Sequence, residues 1–234
     1  MRVLTLGFTI LVAAGLAIAL AAHALPRAVA SYNHSLAKPI MENFENNGVV
    51  PTESQFVLVE QAYGLALDWN DNPQIFRELA ASQALRGLVT LAARQDGERL
   101  FSSARNSLQK SLQRNPTSHV SWMIFAELAM IERDADRAAA YLARSYQFGP
   151  LDFDNGLSRL GVSLELLPLF DQATVNAIVR ETAALAALDY RNLALIAVEV
   201  GRADTVRAML VGAGAEAALV DAFVSEARKL IGAN

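Results

Sequence analysis

Three histidines, no cysteine and a scatter of carboxylates are the residues this chain offers for metal or nucleophilic chemistry. Without cysteine there is no thiolate nucleophile, no thiolate metal site and no disulfide framework. His23 lies in an apolar run, His34 in the polar stretch that follows it, and His119 at a predicted helix start. None of them has a second histidine or a carboxylate at metal-ligand spacing on a predicted helix face. The pairs Asp134/Asp136 and Asp152/Asp154 fall between helices, where Asp favours caps and turns, and calcium would need a denser loop of oxygen ligands. Gly212-Ala213-Gly214 lacks the preceding strand and the third glycine of a dinucleotide-binding turn and reads as a hinge. An all-helical enzyme would need an acid–base cluster in the tail, where Asp189, Tyr190, Arg191 and Glu199 are the candidates. The residue types therefore imply a non-enzymatic protein with no catalytic residue, no cofactor and no metal.

Charge narrows the partner. The net charge is −4, spread as +3 over residues 1–39, −6 over 40–84, +3 over 85–150 and −4 over 151–234. No segment carries the strong basic stripe of a nucleic-acid binder, so that class is excluded. The small positive surplus of the 85–150 block hints at an acidic partner, screened within ~8 Å in physiological salt.

The elements that position these residues are expected to be helices throughout, because Ala and Leu dominate while Gly and Pro are sparse. Residues 3–25 contain no charge, and as a helix they would span a hydrocarbon core of about 30 Å. A retained transmembrane anchor is the leading reading of residues 1–27. The competing one is a cleaved secretory signal, since Ala22-His23-Ala24 fits the small-x-small pattern. Either places the body outside the cytoplasmic face. The expected location is a single pass in a bacterial inner membrane with a periplasmic body, or release to the periplasm after cleavage. Residues 28–50, with Pro39 and Asn46-Asn47-Gly48, read as a short tether with one irregular helical piece.

From residue 51 a helix–turn–helix rhythm sets in. Thr52 and Gln55 form a capping-box pattern, and Asn70-Asp71-Asn72-Pro73 ends one helix and starts the next. Helices are expected near 74–95, 100–114, 119–131 and 137–147, with Ser118 or Thr117 capping the third and Gly149, suited to the left-handed C-terminal position, closing the fourth. The block 85–150 repeats with an offset of 34 residues: Leu88 meets Trp122, Ala92 meets Ala126, Ala104 meets Ala138, Leu108 meets Leu142, Ser111 meets Ser145, and Pro116 meets Pro150. That period and size pattern mark a helical-hairpin repeat. Further helices follow over 155–167, 172–188, 190–200, 204–210 and 215–231, with Asp171 and Asp189 as caps.

The 34-residue pattern resembles the tetratricopeptide repeat (TPR) family, which implies packing positions: the small residues Ala92, Ala104 and Ser111 with their matches let helices approach, and Leu88 and Leu108 with theirs fill the space between hairpins. It departs from it at Gln95 and Ala129, where the family has tyrosine, and at Arg133, where it has a turn glycine. Together with the apolar run and the helical tail, the resemblance gives an all-α fold: an N-terminal transmembrane helix, a TPR-like α-helical hairpin solenoid over 51–150, and a helical C-terminal capping region over 151–234. It also implies a protein-binding groove lined by first-helix residues, here Arg86, Val89, Ala93, Val120, Met123, Glu127 and Met130. Met and Val would form an adaptable apolar floor, and Arg86 and Glu127 would orient a charged ligand. The overall layout is similar to small membrane-anchored repeat proteins of bacteria. The expected function is a scaffold or adaptor for protein partners, membrane-embedded or periplasmic, in an envelope assembly such as surface-polysaccharide biosynthesis or export. The alternative is a periplasmic chaperone-like factor presenting polypeptides for maturation, as in respiratory-protein biogenesis.

Overall fold

The computed structural model describes residues 2–233, and for 2–19, 23, 45, 46 and 233 the backbone alone. All regular structure among the described residues is helical. The chain divides into two compact units, Met1–Asn115 and Pro116–Asn234. The boundary falls between the two copies of the 34-residue pattern.

The first unit holds α1 (Arg2–Asn47), α2 (Glu53–Trp69), α3 (Pro73–Ala92) and α4 (Glu98–Arg114), each packed on the next. Thr52 caps α2 with the reciprocal box expected of it: its hydroxyl accepts from Gln55 N, and its own N–H donates to the Gln55 side chain at 2.8 Å. Asn72 caps α3 by accepting from Gln74 N at 2.9 Å.

Residues 28–47 correct the expectation of a tether, because they continue α1 as helix. Ala30, Ala37 and Met41 are buried against Val59, Ala62, Tyr63 and Ala66 of α2 and Ile75 of α3. With the half-buried His34 they form a stripe at spacings of four, three and four, which is one helix face. Two alanines and a histidine make that stripe faint in hydropathy, and Pro39 sits within the helix. Most side chains of the apolar run 3–25, His23 included, lie outside the described residues. Among the described residues no helix is long and apolar enough to cross a membrane.

The second unit holds α5 (His119–Ile131), α6 (Ala135–Phe148), α7 (Gly156–Leu166), a 3₁₀ turn (Leu167–Leu169), α8 (Gln172–Glu199), α9 (Ala203–Gly212) and α10 (Ala217–Ala233). Helix α8 packs against α6, α7, α9 and α10. Asp189 interrupts it with non-helical φ/ψ and caps its second half by accepting from Arg191 N and Asn192 N. The expected break after residue 188 is thus a cap inside a kinked helix. Ser118, Asp134 and Asp171 cap α5, α6 and α8.

Four helix ends share one hydrogen-bond scheme. After α3, α5, α8 and α9 a residue with positive φ follows the cap, at Arg94, Arg133, Gly201 and Gly214. In each, the next N–H donates five residues back (Gln95 to Thr90, Asp134 to Ala129, Arg202 to Ala197, Ala215 to Leu210). This is the Schellman ending, whose left-handed residue is usually glycine. Arg133 therefore keeps the turn that its side chain argues against, at φ +61°. Arg133→Gly is expected to raise stability by about 1 kcal/mol, since an L side chain in that region costs about 1–2 kcal/mol and glycine returns part of it as unfolded-chain entropy. Urea denaturation of both proteins checks it.

The two hairpins obey the 34-residue register only in their second helices. Helix α4 ends at Arg114 and α6 at Phe148, a shift of 34, whereas α3 ends at Ala92 and α5 at Ile131, a shift of 39. Ala104, Leu108 and Ser111 on α4 and Ala138, Leu142 and Ser145 on α6 are all buried, as expected. Leu88 and Ala92 correct the expectation of core positions. They fall in the last turn and a half of α3, which ends early in a five-residue connection, and both are exposed. Gly87 makes the close approach instead: a Cβ there would lie 2.6 Å from the Phe101 ring of α4.

Candidate functional site

The residues expected to line a groove belong to different units, and each unit treats its own set differently. In the first unit Arg86 is held by α2. Its Nη1 donates to both carboxylate oxygens of Glu60 at 3.1 Å, and its Nε donates to Glu53 at 3.2 Å. Its charge is spent on the chain itself. Val89 and Ala93 are exposed, and so are Leu88 and Leu91, the latter at 50%. The end of α3 thus presents apolar side chains to solvent, two of them outside the expected set.

In the second unit Met123 is buried and Val120, Glu127 and Met130 are half-buried. Glu127 accepts a hydrogen bond from Ser158 of α7 at 3.0 Å. Burial pushes its carboxyl pKa up, with the Ser158 bond opposing. A carboxylate whose folded-state pKa is raised weakens the fold as pH climbs from its unfolded pKa through the raised value, and the loss is complete above it. Glu127→Gln keeps an acceptor for Ser158 without the charge. It is expected to raise the urea midpoint at pH 7 and to leave it unchanged near pH 3, below the ordinary carboxylate range.

The densest polar constellation was not foreseen. Arg159 of α7 and Glu181 of α8 form an ion pair with side chains 0% and 1% exposed. Arg159 Nε donates to Glu181 Oε2 at 3.1 Å, and Nη2 donates to Oε1. Nη1 donates to the Gly149 carbonyl at 2.7 Å and to Ser145 Oγ at 3.2 Å, so the guanidinium also closes the C-terminal end of α6. Glu181 Oε1 accepts from Asp152 N at 2.9 Å. The Tyr146 ring lies 4.3 Å from the Arg159 guanidinium, and its hydroxyl pairs with Ser163 at 3.0 Å. Burial, then the neighbouring Glu181 charge, drive the Tyr146 pKa far up, so that phenol stays protonated.

The network reaches the surface through Asp152 and His119. Asp152 Oδ2 lies 3.2 Å from His119 Nε2, and Oδ1 accepts from Asp154 N and Asn155 N at 3.1 and 3.0 Å. Burial alone would raise the Asp152 pKa. Hydrogen bonds from Asn155, then the charges of His119 and Arg159, bring it below the usual carboxylate value. Gly149 is also corrected here. It has φ −139°, not the left-handed geometry expected of a cap. Its missing Cβ matters because the His119 ring occupies that space, 2.4 Å from where a Cβ would stand. The signal for this network was present as charge out of place. Arg159 shares a stripe with Gly156, Leu160 and Ser163, and Glu181 shares one with Thr174, Ala177, Ile178 and Leu185, all buried.

Other candidates assemble less. Asp189, Tyr190, Arg191 and Glu199 are half-buried or exposed, and Asp189 is occupied as a cap. His34 meets Glu78 at 2.5 Å and leans on the Tyr63 ring, 5.7 Å between centroids. Both described histidines therefore pair with a carboxylate brought from elsewhere in the chain. Among the described residues no group of three or more such side chains could hold a metal ion. An open cleft of 1010 Å³ between α9 and α10 is lined by Arg207, Arg228 and Lys229 together with Asp204 and Asp221, a mixture that favours neither charge of ligand. The geometry offers binding surfaces and a self-contained buried network. Compared with protein-family models and with curated proteins, the chain matches none.

Proposed function

We propose that the protein is a membrane-anchored helical scaffold that positions a protein partner beside a bacterial envelope membrane. Residues 3–25 are its anchor and TPR-like hairpins form its body. The observation that carries this reading is the sharing of one helix. Residues 20–25, the end of the apolar run, and Ala30, Ala37 and Met41, buried in the first unit, all lie on α1. In this proposal the uncharged run inserts and is joined to the body by one continuous helix. Burial of the second-helix positions in both hairpins supports the repeat reading. The partner-contacting surface in this proposal is the end of α3, where Leu88, Val89 and Leu91 are exposed together.

Two measurements test it. Membranes washed with alkaline carbonate should retain the full chain and release a variant whose apolar run carries Leu11→Arg and Leu16→Arg. A photo-crosslinking amino acid at Leu91, activated in intact cells, should give adducts of discrete mass that the same group at exposed Glu165 does not give. Release of the unaltered chain by carbonate removes the anchor. Identical patterns from both positions remove the α3 surface.

A further inference from the structure

We propose that the end of the first unit built from Trp69, the α2–α3 turn and the last turn of α4 rests on the lipid head-group layer. This inference rests on the anchor reading and adds which face of the body meets the bilayer, and at what depth.

The argument is one of level along packed helices. The connection 48–52 makes α1 and α2 run antiparallel, and the His34 and Tyr63 rings are in contact at 5.7 Å between centroids. Trp69 lies six residues beyond Tyr63, about 9 Å toward the apolar run, which sets it level with about residue 28 of α1. That is about 5 Å past Leu25, where the uncharged run ends, and a head-group layer is about 5–7 Å deep. Trp69 is 48% exposed, at the depth where indole, with an apolar body and one N–H, is enriched in membrane proteins.

Charge agrees with depth. Ser111 donates to the Pro73 carbonyl at 2.8 Å, and Arg114 lies 4.8 Å from the Phe76 ring, so the last turn of α4 is at this end too. Arg27, Arg77, Lys110 and Arg114 gather here against Asp68, Asp71 and Glu78, and Asp71 is paired with Arg114 at 2.6 Å. At the opposite end Glu42, Glu53 and Glu98 are paired with Lys38, Arg86 and Arg105, and Asp96 lies beside Arg94 and Arg99 in sequence. The unit therefore has a small basic surplus where α1 emerges from the apolar run and no such surplus at the far end. Anionic lipid head groups fit the basic end, since a basic group near such a surface is attracted by about 1 kcal/mol.

The cysteine-free chain allows a direct test with the full-length protein. Single cysteines replace exposed residues at the two ends, Gln74→Cys near Trp69 and Val50→Cys at the other, and each carries an environment-sensitive fluorophore. The proteins are reconstituted into vesicles of phosphatidylcholine and phosphatidylglycerol containing a lipid with a head-group nitroxide, then recovered by flotation. The label at 74 should emit to the blue of the label at 50 and be quenched about twofold more, because position 50 lies ~25 Å farther along the unit. Floating protein with equal emission and quenching at both positions overturns the docking face and leaves the anchor standing. Protein that does not float overturns both. A third variant, Trp69→Ser in the Gln74→Cys protein, should float equally well and lose most of the difference in quenching; an unchanged difference removes Trp69 from the contact.

Discussion

Arg159→Met is expected to destabilise the second unit by about 3–5 kcal/mol, because it leaves Glu181 as a buried carboxylate without its cation. The loss is large against a typical total of about 5–15 kcal/mol. It should appear as a fall in the urea midpoint and in near-ultraviolet dichroism around Tyr146. Three helices share the consequence, since Arg159 also donates to Ser145 and the Gly149 carbonyl at the end of α6. The double variant Arg159→Met/Glu181→Leu removes both charges and should recover much of the loss. Recovery would identify the network as a specificity device. A double variant as unstable as the single would show instead that the hydrogen bonds to α6 carry the stability. Asp152 N would then be the remaining orphan, because it donates to Glu181 Oε1 at 2.9 Å.

Leu108→Ala and Leu88→Ala should differ sharply although the 34-residue pattern treats both as packing positions. Leu108 is 0% exposed, and its truncation is expected to cost about 2–5 kcal/mol through lost burial and a residual cavity. Leu88 is 42% exposed and should cost under about 0.5 kcal/mol. Urea denaturation read by far-ultraviolet dichroism separates the two. Equal losses would mean that the end of α3 is packed against something in solution, which would remove it as a partner surface. The same Leu88→Ala protein then serves the functional proposal: stability intact, with crosslinks from Leu91 reduced.

Local structure was largely legible because it depends on neighbours in the chain. Thr52 with Gln55, Asn72 before Pro73, Ser118 and Asp171 cap where their types and spacing imply, since a cap is a contact across two or three residues. The stripe Ala30–His34–Ala37–Met41 was illegible for the opposite reason. Its residues are small or polar, and only the approach of α2 gives them a place in a core. The groove divided along the same line. Val89 and Ala93 are exposed, whereas Arg86 is claimed by Glu53 and Glu60, 33 and 26 residues away, and Glu127 by Ser158, 31 residues away.

By itself the amino-acid sequence determined the all-helical composition, the apolar run, several side-chain caps at helix starts, and the repeat of small and large residues that buries the faces of α4 and α6. Each follows from period and propensity, which act within a few turns of chain. Only the tertiary structure decided where α3 stops relative to its repeat partner, which charges are spent internally, and that Arg159 and Glu181 meet. Those outcomes hinge on distance between residues remote in sequence, and the cost of a buried unpaired charge selects among them. The early end of α3 in the repeat register and the five-residue connection after it leave Leu88 and Leu91 outside the core.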